Sequence, residues 1–166
     1  TLSDFFRASL NSGKDIVSLE GECRHITSYL QIQQVRYQDI LTYDVDIPEE
    51  IANCKIPKIT LQPLVENALY HGIKNKRGKG RIVVTGRREK DKCVIRVEDN
   101  GIGMTKERLN QVRGGLTTKI EDSNDFYGLY NVNERIRLKF GEEYGLSIDS
   151  VLQEGTCVEV WLPWES

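Results

Sequence analysis

Two pairs of β-type runs, each joined by a short polar connection, most constrain what this 166-residue chain can fold into. Arg81–Thr85 and Lys92–Val97 form the first pair. Leu146–Leu152 and Cys157–Leu162 form the second, around a Glu154-Gly155 turn. Runs so close along the chain pair most simply as antiparallel neighbours. Their exposed apolar face needs a cover, and the intervening segments have helical rather than strand periodicity. The expected fold is therefore α/β, a two-layer sandwich with helices packed on one face of a mixed, mainly antiparallel sheet.

Helix boundaries are marked by local chemistry. Leu2–Leu10 has helical spacing and stops at Asn11-Ser12-Gly13. Ser18 precedes a helix expected from Leu19 to about Arg36, with Glu20 and Glu22 in its first turn and His25 beside Ile26 and Tyr29, where a structural role is expected. Ile40–Ile47 reads as a strand that ends at Pro48, and Ile56-Pro57-Lys58 leads into a helix over about Thr60–Ile73. Thr105 caps a short helix over 106–113, and a Gly-rich, polar loop fills 114–127. Leu129, Val132, Ile136 and Phe140 then stripe a helix over Gly128–Phe140 that Gly141 ends.

Charge narrows the function. Lys and Arg number 23 against 25 Asp and Glu, a net of −2, which supplies no general attraction to nucleic acid or anionic lipid. The basic run Lys74–Arg81 lacks aromatic stacking platforms and reads as a solvated loop or a contact to triphosphate. No apolar run approaches the roughly 18 residues of a membrane span. Four dispersed cysteines argue for a reducing compartment, and two histidines leave little for a His-rich metal site. The start at Thr1 suggests an excised piece of a longer protein.

Three segments carry chemistry. In Leu61–Gly72 the residues Leu61, Leu64, Val65, Ala68 and Leu69 share one face, while Glu66, Asn67, Tyr70 and His71 share the other. That polar face suits either water or a ligand. Asp99-Asn100-Gly101-Ile102-Gly103-Met104 follows a strand directly; its glycines permit a tight turn, and its carboxylate can accept from an exocyclic amine. Gly128 opens a helix after the long loop, where free backbone N–H groups can meet phosphate.

These segments resemble, in order and spacing, the ATP-binding catalytic domain of bacterial sensor histidine kinases. The superfamily includes the gyrase, Hsp90 and MutL ATPases, and the resemblance is strongest to LytS/YesM-type kinases over nearly the whole chain. Leu61–Ala68 with His71-Gly72 resembles the N box, Asp99–Met104 the G1 box, Gly128–Arg135 the second Gly-rich segment, and Gly155-Thr156 the terminal strand entry. The resemblance implies a Bergerat-type sandwich that binds ATP and Mg²⁺. It makes Asn67 the metal ligand and Asp99 the adenine contact, with Gly101 and Gly103 making room for base and sugar. His71, Gly128, Leu129 and Thr156 complete the cofactor site, and Glu66 and Asn67 are the candidate catalytic pair.

It further implies a division into residues 1–14, the end of an upstream dimerisation region, and 15–166, the catalytic domain. The γ-phosphoryl would pass to a histidine upstream of the Leu2–Leu10 segment and outside this sequence, which neither His25 nor His71 matches, and then to a response regulator. The parent would be a homodimeric bacterial cell-membrane protein with this domain in the cytoplasm. Two departures stand out. Pro63 occupies the place of the water-activating carboxylate in hydrolysing relatives, and Phe126 replaces the first glycine of the second Gly-rich segment. A conformational-switch ATPase and a degenerate nucleotide-binding or interaction module are the alternative functions.

Overall fold

Ser18 starts the described fold by a local bond, its Oγ accepting from Gly21 N–H at 3.1 Å. The computed structural model describes residues 15–38, 40–74, 76, 78–118 and 127–164. The expected helix over 2–10, residues 119–126 of the long loop and Phe126 lie outside them. Strand β1, Ile16–Ser18, runs into helix α1, Leu19–Arg36, the boundaries that the Ser18 cap and acidic first turn imply. Strand β2, Leu41–Asp46, follows, then β3, Lys55–Pro57, and helix α2, Leu61–Asn67, continued by a wider turn over Ala68–Ile73. Strands β4, Gly80–Glu89, and β5, Lys92–Asp99, form the first expected pair. Helices α3, Lys106–Gly115, and α4, Tyr127–Phe140, precede β6, Gly145–Val151, and β7, Gly155–Pro163.

The main sheet has the order β2-β4-β5-β7-β6. The β2–β4 pair is parallel and the other neighbours are antiparallel, so the sheet is mixed and mainly antiparallel. The small β1–β3 sheet was not expected: three residues are too few for a period to declare itself. One face of the main sheet is apolar, with Ile82, Val84, Ile95, Val97 and Val160 fully buried or nearly so. They join Leu19, Ile26 and Leu30 of α1, Leu61, Leu64 and Val65 of α2, and Leu129, Val132 and Ile136 of α4 in one core. The opposite face carries charged pairs such as Arg87–Glu159 at 3.1 Å, which at that exposure add little stability. Hydrophobic burial under the helical layer holds the sandwich together.

Asn133 joins α4 to its surroundings. It is buried, its Nδ2 donates to the Leu116 carbonyl at 2.9 Å, and its Oδ1 accepts from Leu146 N–H at 2.9 Å. One amide thus ties the end of α3, the body of α4 and the start of β6. Asn133→Ala leaves a buried donor and acceptor without partners and is expected to cost about 1–3 kcal/mol. Urea unfolding checks this, and a midpoint within error of wild type would contradict it.

Candidate functional site

Helix α2 supplies the first wall of the site. A continuous α-helix was expected to Ile73, but beyond Asn67 the coil widens, with Lys74 N–H donating to the Leu69 carbonyl, five residues back, at 2.8 Å. Such π-type turns recur at functional sites. The widened turn ends with Gly72 pressed against the end of β5. A Cβ at Gly101 would overlap the Gly72 backbone, and one at Gly72 would strike the Asp99 carboxylate. No local side chain caps α2. The N–H groups that lead into it turn instead to Glu22 of α1, which accepts from Ile59, Thr60 and Leu61 at 2.9, 3.1 and 3.2 Å.

Asp99 is the last residue of β5 and stands opposite Ile82 on one side and Thr156 on the other. Its Oδ1 accepts from Gly101 N–H at 2.9 Å. Burial pushes its pKa up to about 6, against the pull of backbone hydrogen bonds from Gly101 and Thr156 and of the Lys76 charge. Lys76 itself donates to the Asn100 carbonyl at 2.6 Å. Others in the basic run also have protein partners: Lys74 sits 5.4 Å from the Tyr70 ring centroid, and Arg81 pairs with Asp44.

Between these elements lies a cavity of about 310 Å³. Asn67, His71, Asp99, Gly103, Leu129 and Thr156 all line it. Glu66, Gly101 and Gly128 do not; Glu66 accepts from Gln62 Nε2 at 2.8 Å, and Gln62 Oε1 meets His25 Nε2 at 2.6 Å. Gly101 and Gly103 make room for protein backbone, since a Cβ at Gly103 would overlap the Val151 carbonyl. Gly103 also takes φ +67°, a left-handed conformation. Among the described residues, Gly128 has only the Pro63 side chain near its missing Cβ, at 3.6 Å. The Asn67 Nδ2 is buried and has no hydrogen-bond partner among the described residues.

The family described as histidine kinase-, DNA gyrase B-, and HSP90-like ATPase matches residues 57–166, and a histidine kinase family matches 1–41. The chain belongs to the first family. Sensor histidine kinase YesM of Bacillus subtilis (strain 168) is 36% identical over 98% of this chain and 26% of its own length. Sensor histidine kinase BtsS of Escherichia coli (strain K12) is 33% identical over 98% and 27%. Sensor protein LytS of Staphylococcus saprophyticus is 35% identical over 99% and 28%. The chain thus spans little more than a quarter of these curated relatives. The catalytic domain of histidine kinase ThkA superposes with a TM-score of 0.65 at 10% identity, covering 90% of this chain and 95% of that one. The mycobacterial sensor histidine kinase MprB does so at 0.59 and 18%, covering 90% and 97%. The architecture is that of a sensor histidine kinase ATP-binding catalytic domain, a Bergerat-type sandwich.

Family members of this fold bind ATP with Mg²⁺, and the residues present fit both groups. Among the described residues no cluster of three or more His, Cys, Asp or Glu could hold a metal. Mg²⁺ needs no such cage where nucleotide phosphates supply the other oxygens, and Asn67, half-buried on the cavity wall, has a carboxamide oxygen that suits a hard cation. Ile102, Met104 and Leu152 add apolar wall that sequence reasoning did not assign, although the first two lie inside the recognised turn motif. Arg108 of α3 also lines the cavity. Nothing in its local sequence signalled that, because only the tertiary placement of α3 brings it there.

The raised pKa has a consequence for the fold. Folded Asp99 holds a proton that the unfolded chain releases, so its stabilising contribution is complete below about pH 4 and is lost as the pH rises through about 6. Asp99→Asn is therefore expected to melt above wild type at pH 7, with the difference vanishing near pH 4. Melting curves at the two values check this; a variant less stable at pH 7 would contradict it.

Proposed function

We propose that this domain binds Mg²⁺-ATP in the cavity between Asp99 and Asn67 and supplies its γ-phosphoryl group to a histidine in an upstream segment. The observation that carries the reading is the pairing, on the wall of one mainly apolar cavity, of a largely desolvated carboxylate at Asp99 and a carboxamide at Asn67 whose buried Nδ2 has no partner among the described residues. The carboxylate of Asp99 accepts a hydrogen bond from the adenine amino group. Leu129, Ile102 and Met104 enclose the base and keep water from that bond. Thr156 and the Gly101 N–H hold the carboxylate, and the Gly101 and Gly103 turn lets the adjoining backbones close around it. The carboxamide oxygen of Asn67 would hold the metal on the phosphate side, next to His71 and the Gly128 end of α4. Bound there, Mg²⁺ neutralises phosphate charge.

In transfer, an imidazole nitrogen of the acceptor attacks the γ-phosphorus, the bond to the β-phosphate oxygen breaks, and ADP leaves. Residues 1–14 are the end of the dimerisation region that presents this histidine, and 15–166 the donor domain. A response regulator then takes the phosphoryl group, within a homodimeric membrane protein whose catalytic domain faces the cytoplasm. No helix of the described residues is itself long and apolar enough to cross a membrane. Pro63 stands where a water-activating carboxylate would be needed, and Glu66 is engaged by Gln62, so the domain favours transfer over hydrolysis.

Asp99→Asn is expected to weaken ATP binding about 10- to 150-fold, the equivalent of about 1.5–3 kcal/mol for a hydrogen bond to a charged group. Asn67→Ala is expected to remove mainly the Mg²⁺-dependent part of the affinity. Calorimetric titration with and without the metal separates the two. Unchanged affinity in Asp99→Asn, or equal losses for Asn67→Ala in both conditions, would reject the assigned contacts. Steady-state assays should also show slow ATP hydrolysis by the 166-residue chain; rapid, Asn67-dependent turnover would refute the preference for transfer.

A further inference from the structure

The corner that leads into α2 has an unusual backbone. Ile59, a β-branched residue, takes φ +59°, in the left-handed region that such side chains avoid. Nothing local supports it, since Thr60 spends its hydroxyl on the Pro57 carbonyl at 2.6 Å and does not cap the helix. Two distant side chains grip the corner instead. The buried Glu22 carboxylate of α1 takes the N–H groups of Ile59, Thr60 and Leu61. From the other side, Arg135 of α4 donates Nη1 to the Lys58 carbonyl at 2.9 Å and Nη2 to the Ile59 carbonyl at 2.7 Å. The two charges also act on each other, Glu22 favouring the charged guanidinium that burial disfavours.

We infer that Glu22 and Arg135 are positioning residues for nucleotide binding, a clamp that sets the direction of α2 and so the place of Asn67. Asn67 ends the seven-residue helix that starts at this corner, so a rotation of peptide units 58–61 swings its carboxamide directly. A planar fork and a carboxylate fix those peptide units from opposite sides, which neither a hydroxyl cap nor a lysine could do. The clamp also joins α2 to α4, the helix whose first turn borders the cavity, and to α1, which follows the amino-terminal strand β1. Asp99 stands on β5, held by the sheet and touched by this segment only at its far end through Gly72, so the clamp acts first on the phosphate and metal side of the site and less on the adenine contact.

This inference rests on the reading that Asn67 meets Mg²⁺-ATP. Its test uses the 166-residue chain as wild type, Asn67→Ala, Glu22→Gln, Arg135→Lys and the Glu22→Gln/Arg135→Lys double variant. Each is titrated with ATP with and without Mg²⁺, and with adenosine, after melting curves establish that it is folded. Residues that orient a metal ligand typically cost about 10- to 100-fold in metal affinity when changed. A loss of about 10-fold in the Mg²⁺-dependent gain in ATP affinity is therefore expected in either single variant, with a smaller loss of adenosine affinity. The double variant should lose less than the two factors multiplied, because each residue acts through the same corner. Folded variants that melt lower yet keep the wild-type gain would make the pair purely structural and overturn the inference. Should Glu22→Gln fail to fold, Arg135→Lys, which keeps the charge and loses the fork, decides alone. A wild type without any Mg²⁺-dependent gain, or Asn67→Ala retaining it, would instead overturn the functional reading beneath.

Discussion

The backbone contact between Gly72 and Gly101 is the constraint on which the site depends. It brings the end of the widened α2 turn against the end of β5 so closely that neither position has space for a Cβ. That approach places an amide-bearing helix and a strand-end carboxylate on two walls of one cavity, although their residues lie 32 positions apart in the chain. The proximity also removes water from Asp99, which raises its pKa and strengthens any hydrogen bond it accepts from a ligand. Stability is given up there for the sake of a dry acceptor. A surface aspartate would be cheaper for the fold and poorer at holding an amine.

The rest of the domain serves to keep those walls in place. The sheet registers Asp99 beside Thr156, so the carboxylate is braced from the neighbouring strand. Helix α2 cannot position itself: it is about two turns long, has no local cap and starts from a left-handed isoleucine. Its direction comes from α1 and α4 through Glu22 and Arg135, while Asn133 secures α4 to α3 and β6. Charged and polar side chains therefore fix orientation in a core whose stability is hydrophobic.

Much of this was legible because its signals are local. Ser18 and Thr105 mark helix starts by a side-chain oxygen three residues before the N–H from which it accepts, and both bonds form. The stripe through Leu129, Val132 and Ile136 assigned α4 its buried face, and the β4–β5 pair followed from proximity. The candidate residues Asn67, His71, Asp99, Leu129 and Thr156 could be picked out because their motifs resemble a known pattern in order and spacing. What the sequence hid depends on distant partners. Glu22 looked like a first-turn acid suited to its own helix, yet it is spent on another helix 37 to 39 residues away. The widening after Asn67, the three-residue β1 and β3 strands and the arrival of Arg108 at the cavity have no periodic signature. Glycines expected to clear space for a ligand in fact clear it for backbone, a distinction that no residue type reveals.

The most direct test of the account is a crystal structure of the chain with Mg²⁺ and a non-hydrolysable ATP analogue. The adenine amino group is expected within hydrogen-bond distance of the Asp99 carboxylate, with the metal on the Asn67 carboxamide oxygen in the same molecule. A nucleotide bound with its base away from Asp99, or a metal held by phosphates and solvent without Asn67, would contradict it.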